Sequence, residues 1–186
     1  MARVIGPLLT VDDLEVMPDD SNRYELIEGE LFVSHAPSLA HQRISSTIFA
    51  AIIRYLDQHP MGEVLPTPGV IFDDFNSVIP DLIFMTNEQR AEIASGERVL
   101  GAPALVIEIL SPGAENTRRD RVSKRQVYGR YGVQEYWIVD PNQRTVEIYQ
   151  LQAGVLELTT TFADRDELTS SVLPGFACIT GDIFRM

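Results

Sequence analysis

Residues 103–140 read PALVIEILSPGAENTRRDRVSKRQVYGRYGVQEYWIVD: a buried strand, a polar turn, a helix and a second buried strand. Residues 103–110 are apolar on both alternating faces except at Glu108, which fits a central strand covered on both sides. A lone carboxylate in such a strand needs a partner. The helix is expected to start at Asn116 or Thr117, where Thr117 and Asp120 have the spacing of a capping box. It should end before Gly132, which suits a left-handed C-terminal cap. Strand 135–140 returns, and two strands joined through a helix imply a right-handed parallel crossover. Glu108 then lies near the inward helical face of Asp120, Lys124, Val127, Tyr128 and Tyr131.

Lys124 is the only lysine, beside fourteen arginines. An ammonium is a compact point charge that can approach a water or a phosphate oxygen. The plainer reading is a solvated residue paired with Asp120 one turn earlier.

A chain of 186 residues has room for one domain with a sizeable core, and no linker, repeat or low-complexity tract divides it, so 1–186 reads as a single domain. Hydrophobic content of 45% with 23% charged residues places it among ordinary soluble proteins. No apolar run is long enough to cross a bilayer, the start MARVIGPLLTVDD lacks a secretory pattern, and lone Cys178 forms no intrachain disulfide. Cytoplasmic location without membrane contact is the expectation. Net charge of −12 argues against coating nucleic acid by bulk electrostatics. Yet Arg118, Arg119, Arg121, Lys124, Arg125 and Arg130 concentrate basic charge beside one acid, Asp120. Taken singly, outward arginines are also what a solvated helix carries.

Outside this stretch, Thr10–Leu14 reads as a short capped helix, and YELIEGELFVSHAP as a hairpin or bent strand from Tyr24 to His35, with Glu28 and Glu30 flanking the turn. Ser38 can cap a helix reaching Gln58, with an apolar stripe of Ile44, Ile48, Ala51, Ile52, Tyr55 and Leu56 that also carries His41. Strands are expected at 63–66, 69–73 and 79–85, and a short helix and loop over 86–102. A meander at 144–151 and 155–162 follows, then a final strand or loop at 173–177. Asp81, after Pro80 at a strand mouth, is commonly a turn residue, but with Glu108 it makes half of a carboxylate pair.

Two carboxylates at strand ends with a cation from the next helix form a chemical set. Oxygen ligands suit Mg²⁺ or Mn²⁺, and such an ion polarises a phosphate and lowers the pKa of a water. The lysine would stabilise the attacking hydroxide or the phosphoryl charge.

The segments Tyr24–Glu30, Ala36-Pro37 with His41, Pro80–Leu82, Gly101–Pro103, Val106–Pro112, Asp120 with Lys124 and Tyr128, and Gly132–Pro141, in this order, resemble the Uma2 family of restriction-endonuclease-like proteins. The resemblance covers about residues 10–184. The family is similar to the PD-(D/E)xK nucleases, which implies an α/β (α+β) fold with a mixed central sheet flanked by helices, here followed by the C-terminal β-meander. It implies Asp81, Glu108 and the main-chain carbonyl of Ile109 as ligands of Mg²⁺ or Mn²⁺, and Lys124 as the functional lysine. In the wider superfamily that lysine stands two residues after the acid, where this chain has Leu110. Glu30, or else Glu28, with His41, Asp120 and Tyr128 match further positions near the family's site. Ala104 and Ala114 stand where many relatives have a polar residue.

These readings lead to a metal-dependent endonuclease hydrolysing DNA, with Arg118, Arg119, Arg121 and Arg125 as nucleic-acid contacts and a homodimer as the assembly expected for cutting both strands. A nuclease-like module that binds nucleic acid or protein without hydrolysis is the main alternative, favoured by the acidic total. A phosphoesterase acting on small substrates is a third.

Overall fold

The computed structural model describes residues 7–185; the first six residues of the start segment and the outermost ends of the 1–186 domain lie outside the described residues. The stretch around residue 108 forms the middle of a six-stranded mixed sheet. Its order is β12 (Val155–Ala163), β11 (Thr145–Gln152), β10 (Glu135–Asp140), β9 (Leu105–Ile109), β6 (Leu82–Thr86) and β3 (Gly62–Pro66). Strands β9 and β10 are parallel, with Ile138 opposite Glu108, and all other neighbours in this sheet are antiparallel. The expected meander is present and extends the central sheet as an outer edge.

A second sheet, absent from the sequence reading, runs β2 (Glu30–Ser34), β1 (Arg23–Ile27), β5 (Asn76–Val78), β4 (Val70–Asp73), β8 (Arg98–Leu100) and β7 (Ala94–Ser95). Adjacent strands β3 and β4 therefore part into different sheets, and the supposed loop before Gly101 supplies the β7–β8 hairpin. At the β1–β2 turn, Glu28 and Gly29 both have positive φ, 53° and 74°, as a tight two-residue hairpin requires. The 173–177 segment is mostly loop, and β13 (Glu167–Thr169) pairs with β14 (Ala177–Ile179) apart from both sheets.

Alternation along β9 divides the interior. Leu105, Ile107 and Ile109 face the stripe of Ile44, Ile48 and Ile52 on α2 (Leu39–Leu56), whose burial contributes about 1.5–3 kcal/mol per side chain. Val106 and Leu110 point the other way, into a cluster with Ile27, Val70 and Val78 of the second sheet and Val127 and Tyr128 of the following helix. Glu108 lies on this second face by parity. The far end of the chain is tied down through Glu135, fully buried on β10, which accepts from Trp137 Nε1 at 2.7 Å and from Ser170 and Ser171.

Among the shorter helices, α1 (Val11–Glu15) and α3 (Asn87–Ile93) carry capping boxes, and α6 (Thr180–Ile183) closes the described chain. The crossover helix departs from expectation. It begins earlier, as α4 (Ala114–Arg118), widens into a π turn (Arg119–Lys124) and resumes as α5 (Arg125–Tyr131). Thr117 is inside it, its hydroxyl donating to the carbonyl of Gly113 at 3.0 Å, so no capping box forms there. Gly132 ends it with φ 93°, and its N–H donates to Tyr128 and Gly129, as a left-handed cap requires.

Gly62 is fixed by close approach. A Cβ on Gly62 would meet the Met85 carbonyl at 2.1 Å and the Phe84 ring at 2.6 Å across the β3–β6 ladder. Backbone cannot yield there, so Gly62→Ala is expected to cost about 3 kcal/mol, roughly 6–12 °C in melting temperature. Thermal denaturation followed by circular dichroism checks it.

Candidate active site

Asp81 sits just before β6, where Pro80 needs no ladder hydrogen bond. Its carboxylate is held from two sides: the N–H of Ile109 donates to Oδ2 at 2.8 Å, and His41 Nε2 lies 2.8 Å from Oδ1. His41 arrives because Ser38 caps α2, accepting from the His41 N–H at 3.2 Å. Its other ring nitrogen, Nδ1, is buried without a partner among the described residues.

Glu108 is 4% exposed. Its Oε1 accepts from Lys124 Nζ at 2.9 Å and from the Tyr128 hydroxyl at 2.8 Å, which leaves Oε2 for the cavity. Lys124, only 1% exposed, also lies 2.8 Å from Glu25 Oε1 and 4.0 Å from Asp120 Oδ1. The solvated lysine is thus excluded. The π turn carries both Asp120 and Lys124 inward, and the Tyr136 hydroxyl donates to the main-chain carbonyl of Asp120 at 3.1 Å, occupying an acceptor inside the widened turn.

Asp81, Glu108, Ile109 and Lys124 line one cavity of about 310 Å³, with His41 and Asp120. Glu30 stands exposed on β2, beside a neighbouring hollow bordered by Glu28, Arg118 and Arg119. The acid from this hairpin that reaches Lys124 is Glu25, which sequence reasoning missed. Its signal was parity: Glu25 shares a face of β1 with buried Ile27. Arg23, on the same face, was missed as well and lines the cavity, with NH1 4.0 Å from Asp81 Oδ1.

The arginines fan out to different surroundings. Arg119 turns inward, Nε donating to Asp120 Oδ1 at 3.1 Å with NH1 3.8 Å from Glu25 Oε2. Arg121 reaches Glu147 and Asp140, and Arg125 donates to the Leu156 carbonyl and lies over the Tyr149 ring. Arg118 is exposed.

Glu25, Asp81, Glu108 and Asp120 outnumber the buried cations, and the shortfall falls on Glu108. Burial pushes its carboxyl up to about 8; Lys124 opposes this, while Asp120, Asp81 and Glu25 add to it. Burial also raises Asp120, against Lys124 and Arg119. Burial alone would lower Lys124, but Glu108, Glu25 and Asp120 outweigh it and hold the ammonium charged. Tyr128 is pushed well above its usual range by burial and by Glu108, so its hydroxyl remains a donor. A site rich in oxygen donors and short of positive charge fits a hard divalent cation. Among the described residues no three His, Cys, Asp or Glu side chains form a metal cage. Two carboxylates and a carbonyl are instead the few protein ligands that Mg²⁺ takes when water and phosphate fill its other positions.

Among curated proteins none matches the chain. A solved structure titled as a putative nuclease belonging to DUF820 from Anabaena variabilis superposes with a TM-score of 0.76 at 22% identity, covering 95% of this chain and 97% of that one. That likeness establishes the same α+β architecture. The Uma2 family model, described as "Putative restriction endonuclease", matches residues 11–181. With nearly the whole described chain spanned by that match, this protein belongs to the Uma2 family.

Proposed function

We propose that this protein is a Mg²⁺- or Mn²⁺-dependent endonuclease hydrolysing phosphodiester bonds in DNA, working as a homodimer in the cytoplasm. The observation that carries the reading is the chain's sole lysine, buried against Glu108 in the cavity that Asp81 also lines. Asp81, Glu108 Oε2 and the Ile109 carbonyl would hold the ion, which when bound polarises the phosphate and makes a water nucleophilic at neutral pH. Ile109 N–H and His41 fix the Asp81 carboxylate, and Lys124 with Tyr128 fixes Glu108 so that Oε2 presents to the cavity. Lys124 also supplies a permanent positive charge beside the acids. It favours the ionised form of Glu108 that a metal ligand needs. Exposed Arg118 is the proposed contact to the DNA backbone outside the cavity. β12 is the sheet's outer strand, with Val155 and Leu158 exposed, and offers the edge for a twofold contact.

Incubation with plasmid, linear duplex and single-stranded DNA in Mg²⁺, Mn²⁺ or EDTA tests the reading. Cleavage in either metal, abolished by EDTA, is expected. A folded protein that binds DNA without cutting it in any metal supports the binding module instead, and cutting undiminished in EDTA contradicts the mechanism.

A further inference from the structure

Most cations in the cavity wall are already committed to acids. Lys124 is enclosed, its ammonium 2.8 Å from Glu25 and 2.9 Å from Glu108, and cannot turn to a substrate without abandoning both. Arg119, with its side chain 11% exposed, is held by Asp120 and Glu25. His41 Nε2 is against Asp81. Arg23 differs. Its side chain is 27% exposed, its guanidinium makes no hydrogen bond to any described residue, and its nearest acid is Asp81 Oδ1 at 4.0 Å, beyond hydrogen-bond reach. As the first residue of β1, paired with Ser34, it stands beside the 34–38 segment that lines the same cavity.

A guanidinium has a rigid fork of donors that matches phosphate oxygens two at a time. We propose that Arg23 grips the non-bridging oxygens of the phosphodiester lying over Asp81 and Glu108, the substrate-binding cation that buried Lys124 cannot be. This rests on the nuclease reading above and adds to it the residue that holds the scissile phosphate. Lys124 then balances charge within the protein, and Arg23 balances charge on the substrate.

The test compares wild type, Arg23→Ala, Arg23→Gln and Arg23→Lys in two measurements: kcat and KM for duplex cleavage with Mg²⁺, and duplex binding by fluorescence anisotropy with Ca²⁺ at several salt concentrations. Arg23→Ala and Arg23→Gln are expected to lose about 10- to 100-fold in kcat/KM. Their binding should lose about one unit of slope in log affinity against log salt. Arg23→Lys keeps the charge without the fork and should recover the slope but only part of kcat/KM. Melting temperatures should stay near wild type because the 4.0 Å contact carries little stability; if the alanine variant alone is unstable, the glutamine variant decides. Unchanged kcat/KM and salt slope in the glutamine variant overturn the assignment while leaving the nuclease reading intact. A wild-type protein that neither binds nor cuts DNA removes the nuclease reading and this inference with it.

Discussion

Lys124→Ala should lower the melting temperature by roughly 10 °C and abolish DNA cleavage. The size follows from burial. Removing one partner of a buried ion pair costs about 3–5 kcal/mol, because the remaining charge has neither water nor counterion. In a chain of this length each kcal/mol is worth about 2–4 °C. Here the loss would strip Glu25 of the ammonium that now lies 2.8 Å away and push the Glu108 carboxyl, now 2.9 Å from that ammonium, further up. A double variant separates structure from chemistry. Lys124→Met with Glu108→Gln removes a cation and an acid together, so the melting temperature should recover part of the loss, a coupling the single variants cannot show. Cleavage should stay absent. Full activity in a folded Lys124→Met protein would refute the part given to the lysine.

Asp81→Asn and Glu108→Gln should each reduce kcat/KM for DNA by at least ~10²-fold while leaving the protein folded. The two differ in what they do to stability. Asp81 takes the Ile109 N–H on one oxygen and His41 on the other, and asparagine can replace only one of these acceptors. A modest fall in melting temperature is therefore expected. Glu108 lies where carboxyls are in excess, and the neutral amide relieves that excess while Lys124 keeps Glu25. Metal-free Glu108→Gln should melt at or above the wild-type temperature. Adding Mn²⁺ should raise the wild-type melting temperature and leave this variant unmoved, since only an ion bound to the native state stabilises it. Thermal scans with and without Mn²⁺, alongside cleavage assays, measure both effects. A variant that cuts at the wild-type rate would remove the carboxylate from the chemistry.

What was legible in the sequence was local. The all-apolar run around Glu108, the stripe of α2 and Gly132 each announce themselves through period or backbone freedom, and all three stand in the structure. The second sheet did not, because its short strands acquire meaning only by pairing over long range, as Leu26 does with Ser77. The same distance hid Glu25: whether it or Glu30 meets the lysine depends on how the hairpin packs against the central sheet. The π turn was unreadable for another reason. No propensity encodes it, and it accompanies two buried charged residues and a tyrosine reaching in from β10. Arg121 and Arg125, adjacent to Lys124 in spacing, find partners on β11 and β12 that no helical pattern could name.

A crystal grown with Mn²⁺ and read by its anomalous signal decides whether Asp81, Glu108 and Ile109 hold a metal ion. One peak is expected in the cavity, about 2.0–2.3 Å from a carboxylate oxygen of Asp81, from Glu108 Oε2 and from the carbonyl of Ile109, with Lys124 still against Glu25. A well-occupied manganese elsewhere on the protein, with this cavity holding only water at saturating metal, would contradict it.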